Sequence, residues 1–150
     1  MDIKLVKKTP TATVPTYGTP GAAGLDLYAD LIVDGVDQGP WIMSKRQRRL
    51  IPTNISVAIP EGYEGQIRPR SGRALKEGLT VLNSPGTIDS DYRGTIGVIA
   101  FNSSDEPINI RHGERIAQMV ICPVQKVNLI EVDSLDDTTR ADGGYGHTGK

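Results

Sequence analysis

Cysteine, aromatic residues and long hydrophobic runs are all scarce in this chain of 150 residues. Cys122 is the single cysteine, which excludes an intrachain disulfide and favours a reducing compartment. No apolar run approaches the roughly 20 residues that cross a bilayer, and residues 1–8 hold no apolar core of secretory length. We therefore expect a protein without membrane contact that acts in the cytoplasm, or in the host cytoplasm or nucleus if it is viral.

An excess of charge of either sign is also lacking. Seventeen Lys and Arg residues face eighteen Asp and Glu residues, so the net charge is −1 at pH 7. Such a surface gives no electrostatic reason to bind nucleic acid or acidic membranes, and any anionic ligand must meet a local cluster of cations. The length suits one core rather than two domains.

Turn-forming residues are abundant by contrast, with 17 Gly and 10 Pro. Between them, short segments show alternating or continuous β-branched patterns, which predict an all-β sandwich, jelly roll or barrel. The predicted strands are Ile3–Val6, Leu25–Val33, Arg49–Ile59, Gly65–Ile67, Leu79–Leu82, Thr95–Phe101, Ile108–Ile110, Arg115–Val120 and Val127–Val132.

One short helix is predicted from Ser71 to Gly78, with Ser71 as its N-terminal cap and Gly78 as its stop. The segment from Asp34 to Pro40 is predicted to be a loop insertion, and Trp41 at its end to pack against the core.

The most informative stretch is residues 83–94, which lies between two predicted strands. It combines turn residues with two carboxylates, an aromatic ring and a cation, which is more chemistry than a connector needs. We hypothesise that this hairpin holds a small ligand and the acid–base group that acts on it. These side chains are Asp89, Asp91, Tyr92 and Arg93.

Three other polar clusters have two interpretations each. Arg70, Ser71 and Gly72 suit a phosphate, through a guanidinium, a hydroxyl and close backbone approach, although Ser-capped helices without a ligand are common. Residues 113–118 either contribute to a site or form a plain surface hairpin with a pair between Glu114 and Arg115. The carboxylate at position 26 is either a turn or edge residue, or a carboxylate associated with a metal.

Residues 136–150 differ from the rest, because they are polar, rich in Gly and poor in core-forming residues. We predict a β domain over residues 1–135 and a flexible arm over residues 136–150. The arm carries Arg140 and Tyr145. It is either a lid that closes over a ligand or a solvated tail.

Taken together, five clusters resemble the five motifs of the trimeric dUTPase family. They agree with that family in order and spacing as well as composition, from about Ala22 to Gly149. The motifs are Gly24-Leu25-Asp26, Arg70-Ser71-Gly72, Asp89-Ser90-Asp91-Tyr92-Arg93-Gly94, Gly113-Glu114-Arg115-Ile116-Ala117-Gln118 and Gly143-Gly144-Tyr145-Gly146-His147-Thr148-Gly149.

The resemblance implies a distorted jelly roll of the β-clip type that forms a homotrimer, with three active sites at subunit interfaces. It implies a dUTP diphosphatase that uses Mg²⁺ and converts dUTP and water into dUMP and pyrophosphate. That reaction would limit uracil incorporation into DNA and supply dUMP for dTMP synthesis.

The resemblance also assigns roles to residues. Asp89 would be the general base for the attacking water, Tyr92 would lie beneath the deoxyribose, and Asp26 would support Mg²⁺ through water. The uracil-reading residues would be Asn83, Gly86, Ile88 and Gly97; the phosphate contacts would be Arg70, Ser71, Gly72 and Gln118; the arm contacts to terminal phosphate and base would be Arg140 and Tyr145.

Three positions depart from the family pattern. Leu is usual where this chain has Arg73, and we predict that the Arg73 side chain points to solvent. Tyr145 stands where Phe is common, which keeps the stacking area. His147 stands where Ser is usual, so an imidazole replaces the hydroxyl that would contact phosphate, and we do not assign that contact to His147.

Two other functions are compatible with parts of the sequence. A dCTP deaminase would share the fold but needs a catalytic Glu in its Arg-Ser-Ser region, and here Gly72 follows Ser71. A nucleotide-gated regulator would use the same pocket to control binding to another protein, and only the insertion at residues 34–40 and Arg73 hint at it.

Overall fold

In the computed structural model of the protein, which describes residues 1–144, fourteen short strands surround one helix, α1 (Ser71–Glu77). This confirms the predicted all-β class with a single short helix. None of the helical structure within residues 1–144 is long and apolar enough to cross a membrane. The strands are β1 (Lys4–Lys7), β2 (Thr16–Tyr17), β3 (Leu25–Tyr28), β4 (Ile32–Val33), β5 (Val36–Asp37), β6 (Trp41–Met43), β7 (Arg48–Pro52), β8 (Ile55–Ala58), β9 (Tyr63–Arg68), β10 (Leu79–Val81), β11 (Gly86–Ile88), β12 (Gly97–Asn102), β13 (Ile108–Ile110) and β14 (Arg115–Pro123).

Two antiparallel sheets organise the fold. The larger has the strand order β11-β9-β14-β3-β2, and the smaller has the order β10-β12-β7. Three further pairs, β1 with β8, β6 with β13 and β4 with β5, complete the strand pairing of residues 1–144. Alternate residues of β12 point inward, so Val98 and Ala100 are buried while Ile99 is exposed. The core contains mainly aliphatic residues such as Leu27, Ile51 and Met119.

The predicted hairpin between residues 79 and 101 is confirmed, because β10 pairs with β12 and Val81 lies opposite Ala100. Its connection is more than a turn. Within the connection, β11 leaves the small sheet and pairs with β9 in the large one, with Gly86 opposite Ile67. The loop that carries Asp89 therefore begins at an edge strand of the five-stranded sheet.

Two predicted strands are interrupted. The strand predicted over Leu25–Val33 ends at Tyr28, because the chain turns there to bury Asp30 in a polar network. The strand predicted over Arg49–Ile59 breaks at Asn54, whose φ of +51° is left-handed and incompatible with a strand. The insertion at residues 34–40 is not only a loop, since its residues Val36–Asp37 form β5.

The strand predicted over Val127–Val132 is absent, and this prediction is wrong for the described chain. Pairing of β14 stops at Pro123, and beyond it no strand of residues 1–144 lies alongside to satisfy the backbone. The apolar side chains of the segment point to solvent, with Leu129 94% and Ile130 80% exposed. Trp41, in contrast, packs against the core as predicted, with the Arg49 guanidinium 3.7 Å from its ring centroid.

Asp30 is a buried carboxylate that ties together the first residues and the break after β7. Its oxygens accept hydrogen bonds from the side chains of Thr9, Thr11 and Asn54, and His112 Nδ1 lies 3.3 Å away. Burial alone would raise the pKa of Asp30, but these hydrogen bonds and one from the backbone of Ile32 hold the pKa below its ordinary value of 3.8.

Because of Asp30, the free energy of unfolding should depend on pH in the acidic range. Since its folded pKa is lowered, the carboxylate stabilises the fold above pH 3.8, and this contribution is lost as pH falls through the folded value. We expect Asp30→Asn to lower the free energy of unfolding by roughly 1–3 kcal/mol at pH 7, and the gap to wild type to narrow in acid. Denaturant unfolding at a series of pH values measures this difference in the free energy of unfolding. Asp34→Asn, at an exposed turn, is the control. A difference that did not change with pH would contradict the role assigned to the Asp30 carboxylate.

Candidate active site

The first part of the candidate site is a cleft of about 560 Å³, here called the helix cleft, between α1, β3 and β14. The sheet aligns its residues, because Gln118 of β14 lies opposite both Asp26 of β3 and Arg68 of β9. The residues predicted to contact phosphate or support a metal all line it. They are Asp26, Arg70, Ser71, Gly72 and Gln118.

Asp26 is 7% exposed and lies between two guanidinium groups. Its Oδ1 is 2.8 Å from Arg70 Nε, and its Oδ2 accepts a hydrogen bond of 3.2 Å from Arg115 Nη1. The interpretation of Glu114 and Arg115 as a mutual surface pair is therefore wrong, because Arg115 pairs with Asp26. Two charge-assisted contacts fix the position of this carboxylate.

Gln118 links the strand to the start of the helix, since its Nε2 donates to the Pro69 carbonyl at 2.9 Å. It packs directly on Gly24, where an added Cβ would come within 2.3 Å of Gln118 Oε1. A larger residue at position 24 would displace the Gln118 amide, so glycine two residues before Asp26 keeps the bond from Gln118 to Pro69 in place.

The helix start differs from the prediction in one detail. Arg70, not Ser71, occupies the cap position, and no side chain caps the N-terminus. The Ser71 hydroxyl is consequently not used by the helix and stays exposed on the wall of the cleft. The predicted stop is confirmed, because Gly78 has a left-handed φ of +72° and its N–H bonds back to the Ala74 carbonyl.

Arg73 does not point to solvent, so that prediction is wrong. Its side chain is 12% exposed, and it lies between two carboxylates. Its Nη1 donates to Glu114 Oε2 at 2.9 Å, and its Nε donates to Glu77 at 3.1 Å. Glu77 is one helical turn further along α1, which places it beside Arg73.

The second part is a cleft of about 410 Å³, here called the hairpin cleft, formed by the loop after β11 and the start of β12. Ile88, Asp89, Tyr92 and Gly97 line it, four of the residues predicted to act on base, sugar and water. The other two, Asn83 and Gly86, lie against each other where the loop enters β11: a Cβ on Gly86 would be 3.0 Å from Asn83 Nδ2.

Local contacts hold this loop in shape. The Tyr92 hydroxyl donates to the Thr95 carbonyl at 3.1 Å, and a Cβ on Gly94 would come within 2.3 Å of that hydroxyl. Tyr92 is 44% exposed, so part of its side chain is accessible to a ligand. Asp89 is exposed and also borders a larger cleft of about 930 Å³ on the other side of the loop.

The two clefts do not meet within one chain. They share no lining residue. Ile88 lies opposite Gly65, three residues before Arg68 in β9, and three strand steps separate β11 from β3. Ile88 is thus offset from Asp26 by about 10 Å along the strands and about 14 Å across them, and Asp89 follows one residue further from Asp26. At this separation, Asp89 and Asp26 cannot contact the same small group within one chain, because such contacts require distances of about 3 Å.

Of the predicted arm residues, Arg140 is the one that lies within residues 1–144. Beyond β14, residues 124–144 contain neither strand nor helix. Arg140 Nε donates to the Gly143 carbonyl at 2.9 Å in a turn of its own, and Arg140 lines neither cleft. Tyr145 and His147 lie outside the described residues.

No group of three or more His, Cys, Asp or Glu residues within 1–144 could hold a resident metal ion. Asp26 nevertheless supplies the hard oxygen ligands that Mg²⁺ prefers. Proteins commonly hold Mg²⁺ by one or two carboxylates together with substrate phosphates and waters. The donor set therefore fits an ion that arrives with a phosphate ligand.

Sequence reasoning gave no site role to several residues of these clefts, among them Arg115, Leu50 and Ile99. Arg115 was visible within its motif, but its pairing with Asp26 was not. Leu50 and Ile99 line the hairpin cleft from the outer face of the small sheet. An indirect signal existed for Leu50: Gly97 is a glycine within a strand, and a Cβ there would come within 2.6 Å of Leu50.

Sequence comparison identifies relatives over almost the whole chain. A family profile described as dUTPase matches residues 10–149. A deoxyuridine 5'-triphosphate nucleotidohydrolase of Hydrogenobaculum sp. is 56% identical over 146 residues, which are 97% of this chain and 96% of that protein. One of Syntrophotalea carbinolica is 48% identical over 147 residues, with 98% and 96% coverage.

Solved structures share the fold at lower identity. A dUTPase of Staphylococcus bacteriophage 80alpha with dUpNHpp is 24% identical and has a TM-score of 0.86. The match covers 99% of this chain and 99% of that one. A mutant dUTPase from phage phi11 of S. aureus, described with a structural Mg(II) ion, is 21% identical with a TM-score of 0.78, over 91% of this chain and 100% of its own. The predicted jelly-roll fold is thereby confirmed. The chain belongs to the dUTPase family.

Proposed function

We propose that the protein hydrolyses dUTP to dUMP and pyrophosphate. The observation that carries the proposal is the sorting of polar groups into two clefts with different chemistry. The helix cleft gathers guanidinium, hydroxyl and amide groups that suit phosphates, and the hairpin cleft gathers a carboxylate, an aromatic face and a strand edge that suit a nucleoside. Hydrolysis of this kind would limit uracil incorporation into DNA and supply dUMP for dTMP synthesis.

The separation of the two clefts supports an active site shared between subunits. Each copy has one helix cleft and one hairpin cleft, and neither is complete without the other. Rotational symmetry between copies brings the helix cleft of one subunit to the hairpin cleft of the next and repeats the contact around a closed ring. We assign a homotrimer with three such sites, in keeping with the family resemblance.

Asp89 is the proposed general base for the reaction. Its exposed carboxylate can accept a proton from water positioned for attack on the α-phosphorus, and the electron pair of the broken bond leaves with pyrophosphate. Arg70 and Gln118 would hold the phosphates from the opposite side. When Arg70 turns to a phosphate, Asp26 keeps its contact with Arg115, so the buried carboxylate is not left uncompensated.

Asp26 would support Mg²⁺ through water, and the triphosphate would supply most of the other ligands. When bound, the ion would neutralise charge on the phosphate oxygens. The residues of the helix cleft keep the separate task of orienting the phosphate chain.

The edge position of β11 supports recognition of uracil. Backbone groups on the unpaired side of an edge strand remain available, and their alternation of N–H and C=O can match the N–H of uracil between its two carbonyls. Cytosine would oppose donor to donor and leave groups unpaired. Tyr92 packed on the sugar would leave no space for a 2′-hydroxyl, and we assign residues 136–150, with Arg140 and Tyr145, as the arm that covers the bound nucleotide.

The test is pyrophosphate release by the purified oligomer with Mg²⁺ and dUTP, with dCTP, dTTP and UTP as competing substrates. We expect turnover of dUTP and only weak turnover of the other three. No release from dUTP would overturn the proposal. Ammonia release from dCTP would instead indicate the deaminase chemistry that shares this fold.

A further inference from the structure

The first residues of helix α1 line the helix cleft, yet the helix buries almost no apolar side chain against the rest of the protein. None of its residues is buried, and Leu75, its largest aliphatic residue, is 88% exposed. A helix of seven residues is not stable by itself, and tertiary packing normally supplies what is missing. The position of α1 on the sheet must therefore depend on its polar contacts.

Those contacts are few and well defined. At the C-terminal end, the Gly78 carbonyl accepts a hydrogen bond of 2.9 Å from Ser103 N. At the N-terminal end, Arg70 binds Asp26, and Gln118 binds Pro69. Between the two ends, Arg73 supplies the side-chain contacts already described, to Glu77 within the helix and to Glu114 outside it.

The Glu114 contact closes a ring of interactions around the helix cleft. Glu114 is the neighbour of Arg115, which binds Asp26, and Asp26 binds Arg70 at the helix start. The helix is thus attached to the turn before β14 by two routes, one through Arg73 and one through Arg70. If the first route is lost, the second still links this turn to the helix start through Asp26.

Exposure separates this contact from an ordinary surface ion pair. The Arg73 side chain is 12% exposed, whereas in the surface pair of Arg46 and Asp105 the side chains are 62% and 82% exposed. Exposed pairs contribute little, but a guanidinium that is mostly withdrawn from water and bound to two carboxylates fixes geometry. Holding both Glu77 and Glu114 also commits Arg73 to the protein rather than to a ligand.

We propose that Arg73 is a positioning residue of the helix cleft, which fixes α1 against the Glu114 turn and so sets the affinity for the pyrophosphate part of the substrate. This inference rests on the proposed function and extends it to a position where the family usually has Leu. Arg73 lines the helix cleft, but in this role its guanidinium stays bound to Glu77 and Glu114 and does not contact the phosphates.

Binding of pyrophosphate to the intact oligomer tests the proposal without requiring turnover. We expect Arg73→Leu to weaken pyrophosphate binding by about tenfold and to raise KM for dUTP by a similar factor, with a smaller change in kcat. Binding of deoxyuridine, which lacks phosphates, should not change. Arg73→Lys should recover part of the loss, because Lys keeps the charge but cannot bind both carboxylates in a fork.

Glu114→Gln separates positioning from direct phosphate contact. If Arg73 positions the helix, this variant weakens pyrophosphate binding as Arg73→Leu does, and the double variant is no worse than either single one. If Arg73 contacts phosphate directly, releasing it from Glu114 strengthens pyrophosphate binding instead, and the proposal is overturned.

Asp105→Asn is the matched control, because it breaks an Arg–carboxylate pair far from the cleft and should leave both ligands unaffected. Equal loss of pyrophosphate and deoxyuridine binding in Arg73→Leu would show general destabilisation and overturn the positioning role. Unchanged pyrophosphate binding would overturn it as well. Failure of the wild type to hydrolyse dUTP would affect the proposed function alone.

Discussion

Asp89→Asn is expected to lower kcat for dUTP by about 10²- to 10⁴-fold, the usual contribution of a general base. The amide has the size of the carboxylate but cannot accept the proton of the attacking water. Asp89 takes part in none of the salt bridges formed within residues 1–144, so its replacement should not disturb the loop. Single-turnover hydrolysis and direct dUTP binding, measured on the same preparation, separate rate from affinity.

Asp91→Asn is the matched control for this variant. It makes the same charge change two residues away in the same exposed loop, and it should retain most of the activity. If Asp89→Asn lost affinity and rate by the same factor, Asp89 would mainly hold the substrate, and its assignment as base would be wrong.

Removal of residues 140–150 should lower kcat/KM by about 10²-fold, since a missing lid leaves the phosphates misplaced and open to water. Arg140 is bound within its own turn and lines neither cleft, so it can act only if the arm moves onto a site. Pyrophosphate release measures the loss, and light scattering should show an unchanged oligomer because residues 1–139 remain.

Deletion of Lys150 alone is the control for that truncation, as it shortens the chain without removing Arg140 or Tyr145. A protein lacking residues 140–150 that kept full activity would contradict the lid. A truncated chain that fell apart into monomers would show that the arm serves assembly instead.

Much of the framework could be predicted from sequence because it depends on local patterns. The alternation that buries Val98 and Ala100 in β12 and the glycine stop at Gly78 are both short-range signals. The grouping of Asp26 with Gln118 was available only through the family resemblance. In the fold it follows from the register of β3 against β14.

Ion pairs between distant residues could not be predicted in the same way. Arg73 and Glu114 are 41 positions apart, and Arg115 and Asp26 are 89 positions apart. Nothing in the local pattern around Arg73 distinguishes a residue that faces solvent from one that joins two carboxylates. Only the packing of α1 beside the turn before β14 decides between them.

The segment Val127–Val132 shows a different limit. Its composition favours a strand, but a strand forms only where a second strand can pair with it. One copy of the chain leaves Leu129 almost fully exposed. A composition that agrees with a strand is therefore not sufficient to place one.

The most direct test of a shared active site mixes two inactive variants, Asp89→Asn and Arg70→Leu. Asp89→Asn removes the proposed base from every hairpin cleft, and Arg70→Leu removes a phosphate ligand from every helix cleft, so neither variant alone has a complete site. If sites combine the hairpin cleft of one subunit with the helix cleft of another, random mixing in equal amounts restores about one quarter of the sites. Hydrolysis of dUTP by the co-refolded mixture at about that fraction of wild type is the result that we predict. A mixture no more active than the two separate variants would show that Asp89 and Arg70 act within one chain, and the account would be wrong.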